Sequence, residues 1–357
     1  VSEFVTLSKS SPQFESYLLG TFAKDKRALP VQTLNVNSAS ETVTFKIVPV
    51  SSLEFPPRIV RIMKTVKFRS FLFILVPLFL ILTKNIADQT IRDPISCLIA
   101  TIGVIFAFIS VNLRNDYTDH VRGVDRVLER SGSRAIQNGW TTASHIKNLS
   151  TTFLILSLMC AVPVMMAYNE VAYVVVVGAI IGLWAQFQKR ISFKYKIGGE
   201  ISLFLMFGPL LTVGYQLAMG APFDKESLWI GVVWGWAVLF VVHLRNFINI
   251  LPSSQAGFRN TVNCLGFDRS RRLIALWWAI FLCINLFYHL VYAGKYWGIY
   301  VSIALVFLSF TFISKLKSLS SPVGGDLRQV FKYGFTLFLF TIGLWVFECL
   351  WYLLLAR

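Results

Sequence analysis

Apolar blocks of about 20 residues, the length that crosses a bilayer as a helix, recur down this chain. They lie at 68–86, 94–113, 150–168, 171–188, 199–219, 227–247, 273–293, 297–314 and 332–355. A soluble domain is also close to half apolar, but not in unbroken runs. The pattern predicts an all-α, polytopic bundle of nine transmembrane helices over residues 58–357. Pro77, Pro163 and Pro209 fall inside spans, where neighbouring helices re-satisfy the freed backbone groups. Residues 1–57 differ: they are polar, and only the alternation around Val43, Phe45 and Ile47 suggests a short strand or hairpin.

Charge tests this topology. Residues 58–69 and loops 2/3, 4/5, 6/7 and 8/9, each taken with the span ends that border it, hold 24 Lys and Arg, against four in the opposite loops. Such a bias predicts an integral, multi-pass membrane protein with its N-terminus and the charged loops on the cytoplasmic side. It also accounts for the formal net charge of +16 without a nucleic-acid partner. The five cysteines and four histidines are scattered, so neither a zinc nor a haem site is expected. No pair of matching broken helices marks a transporter.

Two of the charged loops are long, about 36 residues for loop 2/3 and about 25 for loop 6/7, and long loops in a compact bundle usually carry function. Loop 2/3 opens with NLRNDYTDHVRGVDR, residues 112–126. Asp116 and Asp119 are three apart and share a face at a helix end. Gly123 permits a turn that returns Asp125 toward them. Carboxylates gathered without His or Cys suit a hard cation, Mg²⁺ above all, which keeps its other positions for water and phosphate oxygens. Arg114, Arg122, Arg126 and Arg134 add charge for an anion.

The stretch Asn115–Asp125, NDYTDHVRGVD, resembles the first aspartate motif of the UbiA superfamily of intramembrane prenyltransferases, in the variant of the menaquinone branch. Gly132–Gly139 (GSRAIQNG) and Gly198–Gly220, with its Glu and Phe-Gly-Pro, are similar to that branch too and follow in the same order. The resemblance covers roughly residues 60–355. It implies transfer of a polyprenyl group from a prenyl diphosphate to an aromatic, naphthoate-like acceptor among membrane lipids. It assigns the metal and the chemistry to Asp116, Asp119 and Asp125, with Mg²⁺ as cofactor. Asn115, Arg122, Arg134, Lys196, Arg245, Asn246, Asn249 and Arg259 are its substrate-binding candidates, and Lys194 is a further basic group. Trp184, Phe187, Trp234, Trp236, Trp277 and Trp278 are aromatic candidates to shelter an allylic cation, although most such residues are ordinary packing.

The family's second acidic motif departs here. Val241–Gly266 reads VVHLRNFINILPSSQAGFRNTVNCLG. Arg245 matches, Asn246 stands where the first Asp belongs, and the second has become Ile250, or Asn249 at best. No carboxylate remains between Glu226 and Asp268. An asparagine offers a carbonyl oxygen without charge, which weakens a second metal. Activity on one metal site is the expected function. The alternatives are a lipid monophosphate or another donor in place of the diphosphate, and a non-catalytic, lipid- or quinone-binding subunit of a larger membrane assembly, with residues 1–57 as the contact to a protein partner.

Four other residues stand out. Glu200 opens span five beside the basic Lys194–Lys196 and either orients those groups or complements the helix dipole. Glu348 lies in span nine with no charged neighbour in sequence, and is expected to reach the membrane interface. His243 sits where the family tends to have Asn, as a polar head-group contact. His120 lies within the first motif, as a solvated loop residue or a proton acceptor.

Overall fold

A computed structural model describes residues 3–36, 38–127, 132–186, 196–293, 296–323 and 325–355. The chain divides into two compact units, one of residues 1–71, 104–158 and 252–257, the other of residues 72–103, 159–251 and 258–357.

The N-terminal segment carries more than the expected hairpin. Strands β1 (Glu3–Ser8), β2 (Lys26–Leu34) and β3 (Thr42–Pro49) form an antiparallel sheet in the order β1-β3-β2. The alternation of β3 puts Val43, Phe45 and Ile47 on one face, where they pack on Phe14 and Leu18 of helix α1 (Phe14–Leu19). Pro30 interrupts the register of β2 between residues 30 and 32; lacking an N–H, it is tolerated because β2 is an edge strand. The polarity of this segment hid the sheet, because β1 and β2 bury little.

The remainder is helical: α2 (Arg58–Thr65), α3 (Leu72–Ala87), α4 (Pro94–Val121), α5 (Val124–Val127), α6 (Ala143–Ala167), α7 (Asn169–Gln186), α8 (Gly199–Phe207), α9 (Pro209–Ala218), α10 (Lys225–Ile248), α11 (Ile250–Gln255), α12 (Thr261–Tyr288), α13 (Tyr296–Ser318) and α14 (Gly325–Leu355). Among the described residues eight stretches are long and apolar enough to cross a membrane. The ninth expected span, 171–188, falls on α7, and its last residues, 187 and 188, lie outside the described ones.

Two departures shape the functional regions. The second span was expected to end at residue 113, but α4 continues through Val121. Hydropathy ends at the first polar residues, whereas the i to i−4 ladder of an α-helix needs no apolar side chain. The fifth span breaks at Gly208 into α8 and α9, with Pro209 at the first helical position of α9, where its missing N–H is harmless. A Cβ on Gly208 would stand 2.4 Å from the Gly231 carbonyl oxygen and 2.9 Å from the Gly235 Cα. Small residues thus let this break press backbone-to-backbone on α10, as membrane helices do where packing drives association.

Candidate functional site

The aspartates stand where α4 ends. Asp116 and Asp119 lie in its last two turns, Gly123 takes the left-handed conformation (φ 76°), and Asp125 follows in α5. All three carboxylates are buried, each at 3 % exposure. Asp116 accepts the Ser133 N–H at 3.2 Å on Oδ2, and its Oδ1 lies 2.6 Å from the Lys67 ammonium. Asp125 accepts from Gln137 Nε2 at 2.7 Å on Oδ2. Gly132, at φ 68°, leaves a space between them: a Cβ there would lie 2.9 Å from Asp116 Oδ1 and 3.5 Å from Asp125 Oδ1. Two carboxylate oxygens thus converge on one glycine.

That donor set suits Mg²⁺, which takes oxygen ligands and is usually held by one or two carboxylates, with water and substrate phosphate completing its shell. Among the described residues no three of His, Cys, Asp and Glu lie close enough to close around one ion. The protein supplies a carboxylate pair, Asp116 and Asp125, with Asp119 buried on the same helix as Asp116.

The neighbours correct several expectations. His120 is no solvated loop residue: it is 1 % exposed, with Nε2 2.9 Å from the Leu18 carbonyl oxygen and Nδ1 3.3 Å from Gln137 Nε2. Those partners assign the proton to Nε2 and leave Nδ1 the acceptor, so neither nitrogen is open to a substrate proton. Arg126 is not available to an anion. Its guanidinium pairs with Glu41 and donates to the His120 carbonyl at 3.2 Å, with both charged side chains under 5 % exposed. Burial pulls the Arg126 pKa below its ordinary value, and the Glu41 carboxylate works against that pull. Arg134 holds an unusual left-handed backbone (φ 60°) and donates to the Asp125 carbonyl at 2.7 Å, which leaves the rest of its planar fork for an anion. Arg114 lies over the Tyr117 ring at 5.3 Å. Asn115 and Arg122 are half-buried beside the aspartates. Sequence reasoning missed Lys67, Gln137 and Glu41. Lys67 and Glu41 are remote in sequence from the motif, and no spacing rule reaches them.

A second polar cluster lies in the other unit, where Glu200, at the start of α8, is 2 % exposed. It accepts from Thr261 Oγ at 2.6 Å and from Asn246 Nδ2 at 3.2 Å, and His243 Nδ1 stands 3.5 Å away, at the limit of a hydrogen bond. From the first turn of α8, Glu200 thus also ties α10 and α12 together. Asn246 turns its N–H₂ to Glu200 and keeps its amide oxygen for another donor. Asn249 donates to the Arg245 carbonyl at 2.9 Å, a bond within its own helix end. Lys196 and Arg259 are paired by a parallel backbone bridge, and Arg245, Lys196 and Arg259 all carry exposed side chains. Lys194 and Phe187 lie outside the described residues, as does the side chain of Trp184.

Among the aromatic candidates, Trp234 and Trp278 are packing residues: each is 1 % exposed and donates its indole N–H, to the Phe73 carbonyl and to Ser309 Oγ. Trp236 donates to the Trp277 carbonyl, and Trp277 lies 4.4 Å from the His243 ring, centroid to centroid. Glu348 does not simply run out to the interface. It meets the buried His289 Nε2 at 3.0 Å, a partner 59 residues away that local sequence cannot show.

The model of the UbiA prenyltransferase family matches residues 74–342. The 1,4-dihydroxy-2-naphthoate octaprenyltransferases of Mycobacterium tuberculosis and Mycobacterium leprae are both 27 % identical to the chain, over 179 and 178 residues, 49 % of this chain and 60 % of each relative. The match thus spans about three fifths of the length of those curated relatives. Among solved structures, a UbiA homologue from Archaeoglobus fulgidus bound to GPP and Mg²⁺ superposes with a TM-score of 0.57 at 15 % identity, covering 78 % of this chain and 99 % of that one. A digeranylgeranylglyceryl phosphate synthase gives 0.55 at 14 % identity, covering 82 % and 98 %. With the family model matched over three quarters of its length and the fold shared, this multi-pass membrane protein belongs to the UbiA prenyltransferase family.

Proposed function

We propose that the protein transfers a polyprenyl group from a prenyl diphosphate to an aromatic, naphthoate-like acceptor within the membrane, with Mg²⁺ as cofactor. The observation that carries this reading is the convergence of the buried Asp116 and Asp125 oxygens on Gly132 at the end of a membrane-length helix. The names of the mycobacterial relatives support the acceptor class, and GPP and Mg²⁺ in the archaeal homologue support the donor and the metal.

Asp116, Asp119 and Asp125 would hold the metal, which when bound neutralises charge on the departing diphosphate. Arg122, Arg134, Lys196, Arg245 and Arg259 supply positive charge for the diphosphate, Arg134 with the N–H groups left free by its one bond to Asp125. Lys67 holds a positive charge against Asp116. Asn115 is a neutral donor at the start of the first motif. Asn246 and Asn249 bring no charge where the family carries acids, so the site relies on its first motif and its basic groups. The C–O bond of the donor breaks, its electron pair leaves with the diphosphate, and an acceptor ring carbon attacks the allylic cation, then loses the group it carried, a proton or a carboxylate leaving as CO₂, so that the ring is aromatic again. Residues 1–57 and the aspartate motif are placed on the cytoplasmic side on the charge bias of the loops.

The test is prenyl transfer by purified protein in detergent, with a radiolabelled long-chain prenyl diphosphate, a panel of aromatic acceptors and Mg²⁺. Product that vanishes with EDTA and in Asp116→Asn is the expected result. Absence of product from every acceptor, with tight binding of a quinone or lipid, would replace this reading with the non-catalytic one.

A further inference from the structure

A short helix precedes the first span. In α2, at 100° per residue, Ile59, Val60, Ile62 and Met63 occupy an arc of about 160°, and Arg58, Arg61 and Lys64 fall on the opposite side. The apolar side has no protein covering it: Ile59 is 72 % exposed, Ile62 51 % and Met63 41 %, and α2 has no buried residue. The basic side is turned to the chain itself, with Arg61 over the Phe55 ring at 5.3 Å and Lys64 over the Trp140 ring at 5.5 Å.

Chain length says what covers the open face. The first membrane-length helix begins at Phe68, three residues after α2 ends at Thr65, a reach of about 10 Å at full extension. The helix is therefore held at the surface of the bilayer that the next residues enter. No acid lies between Glu54 and Asp88, while Arg58, Arg61, Lys64, Lys67 and Arg69 crowd the approach. We infer that α2 is an in-plane membrane helix that seats Ile59, Ile62 and Met63 among the acyl chains, with its cations at the level of anionic lipid headgroups. Apolar area buried in the interface and charge attracted to anionic lipid are the two forces that hold such helices, the second contributing about 1 kcal/mol for each cation near the surface. The inference is independent of the activity proposed above.

The test uses the full chain, its five native cysteines replaced, reconstituted in vesicles of zwitterionic lipid alone or with about a third phosphatidylglycerol. Spin labels are placed by Ile59→Cys, Met63→Cys and Arg58→Cys. The labels at 59 and 63 are expected to collide with oxygen in preference to a water-soluble nickel complex, at a depth of about 5–10 Å. The label at 58 is expected to show the reverse. The labels at 59 and 63 are expected to lie deeper in the anionic vesicles than in the zwitterionic ones, and the triple variant Arg58→Gln/Arg61→Gln/Lys64→Gln is expected to lose that difference. Labels at 59 and 63 that favour the nickel complex would overturn the inference. So would labels screened from both reagents, which would mean a protein covers this face. A depth in the triple variant that still follows anionic lipid would overturn the assignment of the cations.

Discussion

Replacing Glu41 by Gln should loosen the N-terminal sheet far more than its sequence position suggests. Glu41 precedes β3 and faces the Arg126 guanidinium, with side-chain exposures of 2 % and 4 %. Removing one partner of a buried ion pair leaves the other as an uncompensated charge, at about 3–5 kcal/mol. The second cation on Glu41, Lys9 at 3.1 Å, is 44 % exposed and contributes less than about 1 kcal/mol. Arg126 has nowhere to go, since it also donates to the His120 carbonyl. Hydrogen exchange reads opening free energies element by element. The β3 amides should exchange roughly 150- to 5,000-fold faster in the variant, the same 3–5 kcal/mol expressed as a ratio. The double variant Glu41→Leu/Arg126→Met, which removes both charges, should recover most of that protection, because apolar replacement of a whole buried pair is often neutral or better. A single variant with less than tenfold faster exchange, or a double variant worse than the single, would refute the reasoning.

Gly208→Ala should lower the thermal midpoint in detergent sharply, by overpacking that costs about 1–3 kcal/mol or more, because its Cβ would meet backbone at 2.4–2.9 Å; an unchanged midpoint would disprove the close approach of α9 to α10. Asp224 accepts the Ser227 N–H at 2.6 Å as the cap of α10 and pairs with Lys84 at 2.9 Å. Burial would raise its pKa, but the Ser227 N–H and the Lys84 charge hold it below the ordinary value. A depressed carboxylate stabilises above its unfolded pKa of about 3.9 and ceases to as pH falls through its lower folded value. Asp224→Ala should therefore cost about 0.5–2 kcal/mol at neutral pH, and its thermal midpoint should converge on that of the parent only in acid. Gln137→Leu removes a 2.7 Å donor from Asp125 and should raise the Mg²⁺ concentration for half-maximal prenyl transfer by about 10–100-fold, the usual effect of losing an outer hydrogen bond to a metal ligand; an unaltered Mg²⁺ dependence would remove Gln137 from the site.

The class, the helical spans and the location of the aspartates were legible in the sequence, because the bilayer imposes a minimum run of apolar residues and because Asp116, Asp119 and Gly123 lie within one local stretch. Val43, Phe45 and Ile47 were legible for the same reason, their period of two being local. What tertiary structure decided is which charges remain available. Arg126 has the same formal charge as Arg134 and stands one residue from Asp125, yet it is consumed by Glu41, 85 residues away. His120 lies in a charged stretch that suggests a solvated loop residue or a proton acceptor, and it is buried because Leu18 of a helix 102 residues away accepts its ring N–H. Glu200 stands at a helix end and ties α10 and α12 together only because Asn246 and Thr261 are folded onto it. Hydropathy and helical period act over a few residues of chain. Pairing of buried charges is set by desolvation, which penalises each until a partner arrives from anywhere in the fold, and so leaves no mark in the local sequence.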